Sequence, residues 1–310
     1  MALGSSAPQM AVGLQAAFTS SPDIAVGSVV GGNIFNVLVT LGLCALVIPL
    51  RVTRQLVRLE IPLMVAASAL VFVLSLNGEL GVIDGVTLLL GLLAYLLIVL
   101  RQSGQGFAYR QSASQGRSAK AWPILLRMTA LVCGIALLVF GSHLLVAASV
   151  VIALDLGLSE RIIGLTVIAV STSLPALTTS LMAAFRGERD IAVGNVIGSY
   201  LFNLLGVLGV TALLTPVPLS VSPNALDFDL PVMLGVAALC LPLFYSGYRI
   251  TRFEGLLLLA LYLAYGLHIV SFTTGMPLAD TLERLMVRFV LPVLAVFVVY
   301  GTIKAWRRQH

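Results

Sequence analysis

Residues 4–42 read GSSAPQMAVGLQAAFTSSPDIAVGSVVGGNIFNVLVTLG, and residues 171–209 read STSLPALTTSLMAAFRGERDIAVGNVIGSYLFNLLGVLG. The two stretches align without a gap at an offset of 167 residues, and 18 of their 39 positions are identical. The identities include Ser6/Ser173, Pro8/Pro175, Phe18/Phe185, Gly27/Gly194, Gly31/Gly198 and Asn36/Asn203. The run Asp-Ile-Ala-Val-Gly begins at Asp23 and again at Asp190. Unrelated apolar segments resemble one another in their aliphatic residues, but nothing makes them hold Pro, Asp, Gly and Asn in register. The chain carries an internal duplication.

Around these motifs the chain is apolar. Of 310 residues 59% are hydrophobic and 10% charged, with a mean hydropathy of +1.06. Soluble domains carry about 25% charged residues. Runs such as Val37–Leu50, Ile61–Leu76, Val86–Leu100 and Val232–Phe244 hold almost no charge. A bilayer core needs roughly 20 mostly apolar residues per spanning helix, and unpaired backbone inside lipid restricts spans to helices or closed barrels. The runs are too long, and alternate too little, for barrel strands. Ten segments are expected, near 2–18, 24–49, 60–77, 80–100, 123–153, 161–185, 190–214, 229–247, 253–273 and 285–305. The fifth is long enough either to tilt or to end in a loop around Asp155. Cys44, Cys133 and Cys240 lie inside apolar segments and read as small hydrophobes.

Charge orients the segments. Threading them alternately places fifteen of the 18 Lys and Arg on one side, and Arg161, Arg284 and Arg288 on the other. Nine of the 13 acids share that second side, among them Asp23, Glu79, Asp84, Asp227 and Asp229. The positive-inside rule makes the basic side cytoplasmic. The net charge of +5 thus reflects topology, and scattered basic stretches do not form a nucleic-acid patch. The polar, basic stretch 101–122 reads as a linker between halves. Five spans separate the start of one motif from the start of the next, and an odd number inverts the second copy. Inverted repeats are a mark of secondary transporters, whose sites lie at the repeat interface near the midplane.

Each motif has the makings of a site. Ser5-Ser6-Ala7-Pro8 and Thr172-Ser173-Leu174-Pro175 put hydroxyls and a proline inside an apolar span, and each is expected to break its helix. Proline removes one N–H and frees a carbonyl a turn earlier; carbonyl oxygens are hard ligands suited to Na⁺ and Ca²⁺. The neighbouring span is Gly-rich in both copies, which permits close helix approach, and Asn36 and Asn203 offer amide oxygens at matching depth. The bland alternative is a Pro-kinked span whose hydroxyls bond back to their own helix; two copies in register weigh against it. His143 and His268 read as hydrogen-bonded structural residues, and Asp23 and Asp190 as candidate N-caps. No Walker A motif, nucleophile elbow or zinc spacing occurs, so neither an enzyme nor a cofactor is expected.

These two motifs resemble the α-repeats of the cation/calcium exchanger superfamily, whose pattern is close to G-T-S-x-P-E followed by G-N-x-x-G-S-N-x-x-N. The resemblance implies an all-α integral membrane protein, an inverted-repeat secondary transporter with about ten membrane segments. Residues 1–100 would form the first repeat, incomplete at its N-terminus, and 123–275 the second. Residues 276–310 would add an extra span and a basic tail. It implies a multi-pass protein of the cell (inner or plasma) membrane, with lipid and small cations as its partners and Na⁺ with Ca²⁺ or another cation as cargo. Oligomeric state is left open. Carried over by position, the cation-binding residues would be Ser5, Ser6, Gln9 and Asn36 from the first copy, with Gly32 beside them. Thr172, Ser173, Ser199 and Asn203 would come from the second, with Ala169 and Ala176. Ser6, Gln9, Asn36, Ser173 and Asn203 would be the ligands of the transported cation.

Three departures from the pattern matter. The glutamate after each proline is Gln9 in one copy and Ala176 in the other, so no carboxylate is expected near the midplane. A divalent ion would then be poorly compensated, which favours monovalent cargo, or a different stoichiometry, over tight Ca²⁺ binding. Gly32 lacks the hydroxyl that Ser199 keeps. The 45 residues of 122–166 precede the second motif with no counterpart ahead of Met1. Two functions follow: a cation antiporter working by alternating access, or a non-transporting pseudo-exchanger or membrane scaffold that has lost its Ca²⁺ ligands.

Overall fold

The computed structural model describes residues 2–18, 22–53, 56–103, 124–156, 160–245 and 248–274. Most of the linker and the expected span at 285–305 fall outside them. The elements follow the apolar segments closely. Helices α1 (Ala2–Ser5) and α2 (Ala7–Phe18) lead to α3 (Pro22–Phe35), a π-helical turn (Asn36–Leu41) and α4 (Gly42–Val47). Strand β1 (Leu50–Arg51), a π turn (Leu56–Glu60), α5 (Ile61–Leu74), β2 (Glu79–Leu80) and α6 (Val82–Ser103) complete the first half. The second half opens with α7 (Ile124–Leu156), an unbroken 33-residue helix that carries Asp155 without looping there, and α8 (Glu160–Ile163). A π turn (Gly164–Ile168), α9 (Ala169–Phe185), α10 (Arg189–Leu201), a π turn (Phe202–Val207) and α11 (Leu208–Leu214) carry the second motif. Strand β3 (Leu219–Ser220), a π turn (Ala225–Asp229), α12 (Leu230–Tyr245), β4 (Arg249–Ile250) and α13 (Arg252–Thr274) follow.

Among the described residues, seven helices are long and apolar enough to cross a membrane. The most enclosed are Asp23–Val47 and Arg189–Leu214, which carry the Gly-rich halves of the two motifs. The least enclosed is Val82–Arg101, whose Leu90, Leu93, Leu97 and Leu100 are exposed, as lipid-facing leucines would be. The protein is an all-helical membrane protein.

The copies grip one another through corresponding positions. Strand β1 pairs antiparallel with β4, Leu50 opposite Ile250 and Arg51 opposite Arg249. Strand β2 pairs with β3, Leu80 opposite Leu219 and Glu79 opposite Ser220. Beyond the motif the offset between copies drifts to 169 and then 170 residues, so Leu50 corresponds to Leu219 and Leu80 to Ile250. Each strand pair therefore joins one copy to the other, and exchanging the copies turns one pair into the other. Glycines repeat the relation. A Cβ on Gly42 would lie 3.0 Å from the Gly255 carbonyl oxygen, and one on Gly85 2.9 Å from that of Gly209. Gly42 corresponds to Gly209, and Gly85 to Gly255. Only bare backbones can cross this closely.

The strand pairs also sort charge. Arg51 and Arg249 share one pair. Glu79 and Ser220 share the other, where the Ser220 hydroxyl donates to the Asp23 carboxylate. The 22 residues of Leu56–Asn77 separate β1 from β2, about 33 Å of helix. The basic and acidic ends therefore stand a bilayer apart, as the loop charges required.

Two expectations need correction. The first motif breaks as expected: the chain turns at Ser6, between α1 and α2, although the Met10 N–H still donates to the Ser6 carbonyl at 3.0 Å. The second does not, for Pro175 lies inside the continuous helix α9. Proline costs one backbone hydrogen bond and a bend, not necessarily a break. Here the hydroxyls of Thr178 and Thr179 back-bond to the carbonyls of Leu174 and Pro175 at 2.8 and 2.7 Å, holding the turn after the proline. The irregularity sits earlier, in the π turn Gly164–Ile168. Nor do the aspartates cap their helices: Asp23 and Asp190 lie within the first turn, and Glu188 holds the N-cap position of α10.

Candidate functional site

The eight candidate residues are all buried, at 8% exposure or less. Five of them, Ser5, Gln9, Thr172, Ser173 and Ser199, enter two small networks that cross the boundary between copies. In the first, the Ser5 hydroxyl lies 2.8 Å from that of Ser199 and donates to Asn195 Oδ1 at 3.5 Å. The Asn195 amide nitrogen donates to Ser180 Oγ at 3.0 Å and to the Ala176 carbonyl at 3.4 Å. In the second, the Thr172 hydroxyl contacts Gln9 Oε1, and it also faces its own helix at the Ile168 carbonyl, 2.8 Å away. Gln9 Nε2 donates to Ser28 Oγ at 3.2 Å, and Ser173 Oγ donates to the Gly32 carbonyl at 3.5 Å.

Proton accounting fixes the amide of Gln9. Ser28 Oγ gives its one proton to the Ala25 carbonyl at 2.9 Å, so toward Gln9 it can only accept. Nitrogen must face Ser28, and Oε1 faces the second copy. The two halves are chemical counterparts. Position 9 corresponds to 176 and position 28 to 195; one side pairs Gln with Ser, the other Ala with Asn. At these two positions each helix pair carries one amide, placed on opposite members. Asn195 and Ser28 were not among the sequence candidates. Their signal was the pattern's G-N, which stands here as Gly27-Ser28 and Gly194-Asn195.

The π turns place the remaining amides. Asn36 is the first residue of its turn and Asn203 the second of the equivalent one. A π turn rotates the residues after it relative to a plain helix, and such turns concentrate at functional positions. Asn203 Nδ2 donates to Asn33 Oδ1 at 3.0 Å, and Asn33 Nδ2 to the Tyr200 carbonyl at 3.4 Å. Tyr200, the residue corresponding to Asn33, turns away; its hydroxyl meets Ser68 Oγ at 2.8 Å and the Met233 carbonyl at 3.3 Å. That side chain is structural, which no sequence signal showed.

Three site oxygens stay unsatisfied. Ser6 Oγ, Asn36 Oδ1 and Asn203 Oδ1 are buried and have no hydrogen-bond partner. Leaving a buried polar group unpaired costs about 1–3 kcal/mol, and each such group in a native fold calls for a reason. These three, one on the broken helix and two on equivalent asparagines, are neutral oxygens of the kind a small hard cation takes; Thr40 Oγ1 is a fourth unpartnered oxygen within the motifs. Among the described residues no group of three or more His, Cys, Asp or Glu is placed to hold a metal ion. A cavity of about 130 Å³ lies beside the motifs, lined by Pro8, Val12, Leu137, Gly141, Leu145, Ser171 and Thr172. The histidines lie elsewhere: His143 Nδ1 is 3.2 Å from Gln15 Nε2, and His268 stacks on Phe228 with ring centroids 3.9 Å apart.

The family model described as sodium/calcium exchanger protein matches residues 1–101 and 127–271. The putative antiporter CaxA of Alkalimonas amylolytica is 34% identical over 271 residues, covering 86% of this chain and 84% of its own. The inner membrane protein YrbG of Escherichia coli (strain K12) is 36% identical over 247 residues, covering 76% and 74%. A solved structure of the sodium-calcium exchanger NCX_Mj, soaked with Na⁺ and Sr²⁺, matches with a TM-score of 0.62 at 30% identity, covering 85% of this chain and 82% of that one.

Proposed function

This chain belongs to the sodium/calcium exchanger protein family, and on that premise we propose that it is a secondary antiporter moving Ca²⁺ or another small cation across the cell membrane against Na⁺ or H⁺. The observation that carries this reading is the set of buried, unpartnered oxygens on Ser6, Asn36 and Asn203. Such groups call for a reason in a native fold, and a dehydrated cation would satisfy them. Ser5, Thr172, Ser173, Ser199 and Gln9, from the same motifs, bind across the copy boundary. A relative movement of the copies would therefore exchange these contacts for an ion's.

The two copies act as inverted repeats that rock about the site with alternating access. The strand pairs support the inversion. Strand β1 and its counterpart β3 belong to different pairs, and these stand at opposite ends of the spanning helices. A repeat in the same sense would place both at one end.

The test is exchange in proteoliposomes. Purified protein is reconstituted, and uptake of radiolabelled Na⁺ and Ca²⁺ is followed with opposing Na⁺, Li⁺, K⁺, Ca²⁺ or proton gradients. Uptake that is driven by an opposing cation, and that falls at least tenfold in Asn36→Ala and Asn203→Ala, is the expected result. Folded protein that moves no cation under any gradient would overturn the reading.

A further inference from the structure

We infer that Gln9 and Gly32 are a matched pair that sets the charge class of the cargo, admitting singly charged cations and rejecting divalent ones. The inference rests on the antiporter reading above and narrows its cargo.

The pairing is geometric. Gln9 is 1% exposed, and its amide bridges Ser28 of its own copy to Thr172 of the other. A Cβ built on Gly32 would lie 3.3 Å from Gln9 Oε1 and 3.1 Å from Ser173 Oγ. A serine there, as at the corresponding Ser199, would put a further atom into the same space. The neutral amide at position 9 and the absent side chain at position 32 are therefore one adaptation: the glutamine keeps its bridge because glycine leaves room for it.

The consequence is electrostatic. The buried side chains of the two motifs that accompany Ser6, Asn36 and Asn203, among them Gln9, Asn195, Ala176 and the hydroxyls, are all uncharged. Asp229 is the one carboxylate among the buried described residues. It accepts from the Tyr265 hydroxyl at 3.2 Å, in the first turns of a different span. Born energy grows as the square of charge, so dehydrating a divalent ion costs about four times as much as a monovalent ion of equal radius. Oxygen dipoles repay that cost only in proportion to the first power of charge. A monovalent ion can be balanced by hydroxyl and amide oxygens; a divalent ion in the same shell lacks the counter-charge.

The experiment uses the full chain in proteoliposomes and, in parallel, heat stability in detergent with added NaCl, LiCl or CaCl₂. In the wild type, Na⁺ or Li⁺ exchange is expected to be unaffected by a hundredfold excess of Ca²⁺. Na⁺ or Li⁺, but not Ca²⁺, should raise the melting temperature. Gln9→Glu should make monovalent exchange Ca²⁺-sensitive by tenfold or more and add a Ca²⁺-dependent melting shift. Gly32→Ser should lower flux without conferring Ca²⁺ sensitivity. If Gln9→Glu does not fold, the wild-type and Gly32→Ser measurements still decide. Wild-type Ca²⁺ uptake at a rate comparable to Na⁺, or a folded Gln9→Glu with unchanged Ca²⁺ response, overturns the inference while leaving the antiporter intact. Loss of all cation exchange in folded wild type defeats both.

Discussion

Replacing Gly31 by alanine places a methyl group where three atoms already stand. The new Cβ would lie 2.4 Å from the Leu165 carbonyl oxygen, 2.8 Å from Leu165 Cα and 2.9 Å from Ala169 Cβ. Carbon contacts settle near 3.5–4.0 Å, so the shortfall is about 1 Å. None of the three atoms is the end of a flexible side chain; each moves only with its helix. The Gly-rich helix of one copy must therefore part from the π turn and α9 of the other. Overpacking of this kind costs typically 1–3 kcal/mol, and rigid partners place it at the upper end. The same displacement lengthens the Ser173–Gly32 hydrogen bond, already 3.5 Å, and pulls Thr172 from Gln9. Gly194→Ala is the control: its nearest neighbour is Leu56 Cδ1 at 3.9 Å, and alanine in a helix interior gains about 1 kcal/mol over glycine. That gain applies to both helices and cancels, so the variants should differ by the overpacking cost alone, about 1–3 kcal/mol, or about 2–10 °C for a chain of this size. Melting in detergent, read as the fraction monodisperse after heating, measures the difference, and cation exchange measures the site. A Gly31→Ala protein that melts within a degree of Gly194→Ala and exchanges ions at the wild-type rate would refute the reasoning.

Other outcomes follow from the same contacts. Ser6→Ala removes an unsatisfied buried oxygen, so it should raise stability by about 1 kcal/mol while lowering exchange; a fall in both would show that Ser6 is structural. Tyr200→Phe loses the hydroxyl's contacts with Ser68 and the Met233 carbonyl, at about 1–2 kcal/mol. Ion preference should be unchanged, because Asn33 binds the Tyr200 backbone; altered selectivity would place Tyr200 in the site. In a background lacking Cys44, Cys133 and Cys240, Glu79→Cys should react with an impermeant thiol reagent on intact cells. Arg51→Cys should react only after permeabilisation, and the opposite pattern would reverse the orientation.

How far the residues alone reach can be judged element by element. Nine of the ten apolar segments correspond to helices, and the tenth lies outside the described residues. Long apolar runs announce themselves because a spanning helix must present apolar side chains all round. The break at Ser6 was legible because a proline follows it. The continuous helix through Pro175 was not, since hydroxyl back-bonding from Thr178 and Thr179 depends on rotamers. The π turns left no periodicity to detect, though they place Asn36 and Asn203.

What the sequence by itself determined is the membrane class, the duplication and its register, and which positions in each copy carry polar groups. All of these are local or repeat at a constant offset, so one dimension suffices to hold them. Only the tertiary structure decided that Gln9 reaches Thr172 across 163 residues, that Gly32 lies beside Gln9 and Ser173, and that Gly42 crosses Gly255 as Gly85 crosses Gly209. These are contacts between copies, set by helix separations of a few tenths of an ångström. No pattern along the chain encodes such distances, and the absent glutamates became intelligible only when the space around Gln9 could be measured.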